Sequence, residues 1–85
     1  MRNQTVEVQL NSGLERLAAM LVQVASKYES RVYLESEGRK VNAKSIMGMM
    51  SLVLNNGESV EILADGSDEE GAVNAIADYL TGKNE

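Results

Sequence analysis

The apolar residues of this chain switch repeatedly between two periods, and that switching limits what the chain can fold into more than any other feature. Val6, Val8 and Leu10 alternate with Thr5, Glu7 and Gln9, the period-two pattern of a strand with one buried face. Asn11-Ser12-Gly13 then reads as a turn. From Glu15 to Tyr28 the apolar positions Leu17, Leu21, Val24, Ala25 and Tyr28 recur at spacings of three and four, the stripe of an amphipathic helix. Arg31–Glu35 alternates again, and a second short run through Val41 follows Glu37-Gly38, which predicts a hairpin with a tight turn. Ser45–Leu52 is a short Met-rich helix that Asn55-Asn56-Gly57 stops. Val60, Ile62 and Ala64 form a fourth strand. Ser67 and Glu70 have capping-box spacing ahead of a last helix carrying Ala72, Val73, Ile76, Ala77 and Leu80, with Gly82 ending it.

The order is β-α-β-β-α-β-α. Each helix must bury its stripe and each strand its apolar face, so the economical arrangement is an α+β open-faced sandwich. A four-stranded antiparallel sheet carries three helices on one face and leaves the other face wet. With no repeat, linker or low-complexity tract, residues 1–85 read as a single domain.

Composition narrows the function. The chain has no His, no Cys and no Trp. A Ser-His-Asp triad lacks its base, a thiolate nucleophile is absent, and zinc, haem and copper lose their commonest ligands. The chain is a poor candidate for an enzyme, and no cofactor or metal is expected. A formal charge of -5 argues against direct binding to nucleic acid, where affinity comes from neutralising phosphates. The longest apolar stretch, Leu17–Val22, is too short to span a bilayer, and the first residues lack the apolar run of a signal peptide. The absence of Cys suits a reducing compartment, so a cytoplasmic location is expected. Charge is uneven: residues 27–44 hold five bases against three acids, whereas Glu58–Glu85 holds eight acids and one base.

One segment could carry chemistry: Val41-Asn42-Ala43-Lys44-Ser45-Ile46-Met47-Gly48-Met49-Met50. Two readings stand open on the residues alone. Ser45 caps a short helix while the methionines fill gaps in the core. Alternatively, Ser45 is a phosphorylation site with Lys44 and Lys40 close in sequence, and exposed methionines around it form an adaptable docking patch.

That segment, together with Asn11-Ser12-Gly13-Leu14, Arg16, Leu21-Val22-Gln23 and Ala25-Ser26-Lys27-Tyr28, resembles the HPr family, small phosphocarriers of the bacterial sugar phosphotransferase system. The resemblance covers nearly the whole chain and implies four antiparallel strands with three helices on one face. The chain departs from the family at its carrier site. A histidine is expected just after the Ser-Gly turn, in a Gly-x-His-Ala-Arg-Pro setting. Here the stretch is Gly13-Leu14-Glu15-Arg16-Leu17-Ala18, one residue shorter and without histidine. Ser12 and Glu15 have capping-box spacing, so the shortened loop starts the first helix earlier.

A lost histidine with a kept serine is similar to Crh, the catabolite-repression relatives of HPr. That resemblance implies Ser45 as the phosphoacceptor of an HPr kinase/phosphorylase, with the phosphorylated chain serving a CcpA-type repressor as corepressor. Ile46, Met47 and Met50 would form the apolar docking patch, with Arg16 beside it and Lys44 adjoining Ser45. The alternatives are a constitutive, phosphate-independent module regulating a metabolic enzyme, and a degenerate phosphocarrier inactive in transfer. Some members of the family this chain resembles exchange their first strand to make dimers, so monomer and homodimer both stay open here.

Overall fold

The computed structural model describes residues 1–9, 13–52 and 57–82, and for Leu14 the backbone alone. The elements follow the order read from the periodicity: β1 (Arg2–Glu7), α1 (Leu14–Ser26), β2 (Arg31–Ser36), β3 (Arg39–Asn42), α2 (Ile46–Ser51), β4 (Ser59–Asp65) and α3 (Glu69–Leu80). Leu10, the turn residues Asn11 and Ser12, and the stop at Asn55-Asn56 lie outside the described residues. The Ser12–Glu15 box is corrected: Gly13 is the N-cap of α1, with no side-chain cap bond, so Glu15 falls at the second helical position and not at the third.

The four strands form one antiparallel sheet in the order β1-β4-β2-β3. Pairing sets the faces. Gln4, Ile62, Leu34 and Val41 lie in one cross-strand row, and Asn3, Leu63, Tyr33 and Asn42 in the next. Because successive side chains point to opposite faces, the first row turns toward the helices and the second away from them. Val32, Leu34, Val60, Ile62 and Ala64 are buried on the helical side against Leu17, Leu21, Ala25, Val73, Ile76 and Leu80. On the outer side Glu35 pairs with Lys40 across β2 and β3, and Asn3 donates to Glu61 at 2.9 Å.

The β2–β3 hairpin turns through Glu37 and Gly38, both at positive φ (52° and 79°), the two-residue turn whose twist matches its strands. β1 is regular only to Glu7, yet Val8 continues inward and is fully buried. Its N–H donates to Glu58 O and its carbonyl accepts from Gly57. At the end of α3, Gly82 takes φ 79° and donates to Tyr79 O, as its position predicts.

The start of α3 corrects one expectation. Ser67 and Glu70 do not form the capping box; both are exposed, and the helix begins at Glu69 after Asp68. The side-chain bond runs between Glu69 and Gly66, whose N–H donates to the Glu69 carboxylate at 3.2 Å. Asp68 turns away from its own helix to a better set of donors. Its carboxylate accepts from Glu29 N–H at 2.9 Å, from Ser30 N–H at 3.0 Å and from the Ser30 hydroxyl. These bonds buckle the loop after α1 to the start of α3. The Ser30 hydroxyl, then the Glu29 and Ser30 N–H groups, hold the Asp68 carboxyl below its ordinary 3.8. The Gly66 N–H does the same for Glu69, helped by the N-terminal ammonium and Arg2.

Candidate functional site

α2 is too short to stand alone, and three features fix it. Ser45 occupies the N-cap in extended conformation, and its hydroxyl oxygen accepts the Gly48 N–H at 3.2 Å. Met49 and Leu52 are buried, each about 2% exposed, so one side of the helix is anchored in the core. At the far end the Arg39 guanidinium reaches from β3 to Ser51, donating to its carbonyl at 3.3 Å and its hydroxyl at 3.5 Å.

Anchoring Met49 inward turns the other side chains out. Ile46 is 46% exposed, Met47 82% and Met50 48%; with Met1, they are the large apolar side chains most open to solvent among the described residues. The two readings of this segment therefore divide by residue. Ser45 is a partly buried cap and Met49 is core, while Ile46, Met47 and Met50 form an exposed apolar patch beside it. Arg16 stands exposed in the first turn of α1, the helix that packs against α2.

The lysines fall elsewhere than their sequence neighbourhood suggests. Lys40 lies on the outer face, its ammonium 4.8 Å from the Tyr33 ring centroid, because Val41 next to it faces inward. The structure places its ammonium over that ring and not at Ser45, which sequence proximity had suggested. Lys44 donates from its ammonium to Tyr28 O at 2.7 Å, and its backbone N–H goes to the Asn42 side chain at 2.8 Å. Its side chain thus ties the loop before α2 to the end of α1.

Two features at the site had no clear signal in the sequence. Gly48 supplies the amide that orients the Ser45 hydroxyl; the spacing of three from an N-cap is its only mark. Met49 separates from its neighbours only by being three residues ahead of Leu52. A depression of about 130 Å³, lined by Met1, Arg31, Tyr33, Leu63, Ala64 and Asp65, opens on the outer sheet face and includes none of these residues. Among the described residues no group of three His, Cys, Asp or Glu side chains could share a metal ion, and no helix is long and apolar enough to cross a membrane.

An open-faced α+β sandwich with a capped serine at the head of an exposed apolar helix defines a small HPr-like protein. The family described as "PTS HPr component phosphorylation site" matches residues 2–82, and the chain belongs to that family. It is 49% identical over 81 residues to the HPr-like protein Crh of Bacillus subtilis, covering 94% of this chain and 95% of that one. The crystal structure of HPr-C-His from Thermoanaerobacter tengcongensis superposes with a TM-score of 0.89 at 45% identity, covering 98% of this chain and 94% of that one. The crystal structure of Bacillus subtilis Crh, described as a swapped-domain dimer, gives a TM-score of 0.74 at 49% identity, covering 94% and 93%. This chain has no histidine, so no imidazole is present to carry a phosphoryl group.

Proposed function

We propose that this HPr-like chain is a regulatory protein switched by phosphorylation of Ser45 and acting as corepressor of a CcpA-type catabolite-control repressor. The observation that carries this reading is the partly buried Ser45, capping a helix anchored by Met49 and set among exposed Ile46, Met47 and Met50. Such a patch has apolar area to bury and a hydroxyl to modify, and the likeness to Crh supports the pairing. An HPr kinase/phosphorylase docks on the same methionines and supplies the phosphate. The added charge of about -1.5 to -2 then meets basic groups of the repressor. Arg16 lies at the rim of that contact. Lys44, whose ammonium keeps two donors beyond the one on Tyr28, completes it. Because Lys40 lies on the outer face and Lys44 is held in place by Tyr28 with donors to spare, the switch adds contacts to a partner and leaves the fold as it is. The chain has no catalytic task of its own and works in the cytoplasm.

The test is repressor binding by titration calorimetry with three forms: unmodified, phosphorylated, and Ser45→Ala treated with kinase and ATP. Tight binding by the phosphorylated form alone is the expected result; equal binding by Ser45→Ala would refute the reading. One observation favours a second reading, a phosphate-independent module on a metabolic enzyme: the apolar patch is exposed before any modification. Its mark is a partner held by the unmodified chain and undisturbed by Ser45→Ala.

A homodimer formed by exchange of β1 also belongs to this proposal. β1 is an edge strand paired with β4 alone, so it can leave without disturbing the order of the other three. Sedimentation velocity decides it: a two-chain species supports exchange, and a single-chain species at all concentrations excludes it.

A further inference from the structure

Ser45 is held at both ends of its backbone. Its N–H donates to Asn42 O at 3.0 Å and its carbonyl accepts from Met49 N–H at 2.9 Å. Its hydroxyl leans over residue 48, where it accepts the amide N–H. One lone pair is used by that bond, and the other lone pair and the proton remain. The space beside the hydroxyl is bounded on one side by residue 48, which is glycine. A Cβ there would lie 3.5 Å from Ser45 Oγ, 3.5 Å from Ser45 Cβ and 3.6 Å from Asn42 O. These are ordinary van der Waals separations, so a methyl group would fit without strain and fill the notch between the serine side chain and the Asn42 carbonyl. Gly48 lies inside a helix, where glycine is the less stable choice. Packing gives no reason for it.

We infer that Gly48 is a positioning residue for phosphoryl transfer: its missing side chain keeps open the flank of the Ser45 hydroxyl through which the phosphoryl group must come. This inference rests on the reading of Ser45 as the phosphoacceptor. In the transfer, the free lone pair of Ser45 Oγ attacks the γ-phosphorus of a nucleoside triphosphate held by the kinase. The Oγ–P bond forms and the bond from that phosphorus to the β-bridging oxygen breaks. The nucleoside diphosphate leaves, and the hydroxyl proton passes to a general base of the kinase. Attack must be in line, and three non-bridging oxygens then crowd around Oγ. A methyl group in contact with Oγ takes up one side of that space. The two backbone bonds hold the Ser45 main chain, and the Gly48 N–H holds its hydroxyl on this side, against residue 48. Docking through Ile46, Met47 and Met50 does not involve the notch, so the loss falls on the chemical step.

The experiment compares wild type and Gly48→Ala with HPr kinase and ATP, measuring kcat, KM and Tm. The expected result is a kcat lower by about tenfold or more, in line with the sensitivity of transfer steps to misplacement, with KM within about twofold. Tm is equal to or above that of wild type, which excludes misfolding as the cause. An unchanged kcat would overturn the inference and leave Ser45 as acceptor; so would a change confined to KM, which would put Gly48 in docking. If wild type itself carries no phosphate on Ser45, the reading of Ser45 fails and takes this inference with it.

Discussion

Gly66 is the position where one added methyl group should do the most damage. It links β4 to α3 at φ 157°, and a Cβ built there meets Ser30 Cα and Oγ at 2.6 Å and Ser30 Cβ at 3.0 Å. Ser30 cannot give way. It is 1% exposed, and its N–H and hydroxyl are both bound to Asp68. Two costs therefore add in Gly66→Ala. Overpacking against fixed backbone costs about 1–3 kcal/mol, and forcing a residue with a Cβ into this part of φ space costs about 1–3 kcal/mol more. The sum, about 2–6 kcal/mol, is a large share of the total stability of an 85-residue domain, about 4–13 kcal/mol. Urea unfolding followed by circular dichroism should show the midpoint falling by about 1 M or more. Gly71→Ala is the internal control. It lies in α3 at ordinary φ, and its Cβ meets only Tyr28 Cε1 at 3.4 Å. It should raise stability by about 0.5 kcal/mol through helix propensity. If both variants unfold with wild type, the close approach of Gly66 to Ser30 is not what joins β4 to α3.

Four further outcomes follow from the same structure. Met49→Ala removes the buried anchor of α2 and should cost about 2–5 kcal/mol by denaturant titration, with Met47→Ala near zero as its exposed counterpart. Met47→Asp should leave the fold intact but raise the kinase KM about tenfold or more, the loss of one methionine's burial against a partner; unchanged KM would move docking elsewhere. Ser45→Ala should cost about 1 kcal/mol of stability as a lost N-cap, measured apart from its effect on modification. Asp68→Asn should lower stability at neutral pH and flatten its acid dependence. The folded Asp68 pKa is depressed, so its contribution is present above the unfolded value near 3.8 and is lost as pH falls through the lower folded value. A thermal-stability profile from pH 7 to 2 that is parallel in wild type and variant would contradict this.

Most of the fold was legible because each element is long enough to display its period. Strand alternation at Val32–Leu34 and Val60–Ala64, and the three-four spacing through Leu17, Leu21 and Val24, depend only on burial of one face. The same alternation places Lys40 on the outer face, since Val41 must face in; proximity in sequence was the wrong guide. The start of α3 was misread because its caps depend on a partner 38 residues away. Asp68 satisfies Ser30, so Glu69 and Gly66 close the helix instead of Glu70 and Ser67. Nothing local in Ser67-Asp68-Glu69-Glu70 distinguishes these choices. α2 has six residues, too few for a period to show, so the division of Met49 from Met47 and Met50 came from packing against α1 and β3. The resemblance to HPr proteins is what names Ile46, Met47 and Met50 as a docking patch; the structure adds that the three side chains are exposed.

The central claim is that this HPr-like chain has exchanged a phosphate relay for a phosphate switch at Ser45. Incubation with HPr kinase and ATP, followed by intact-mass and peptide spectrometry, tests it most directly. The account predicts one phosphoryl group per chain, located on Ser45 and absent from Ser45→Ala. A folded wild-type chain that stays unmodified, or carries its phosphate on another residue, would contradict it.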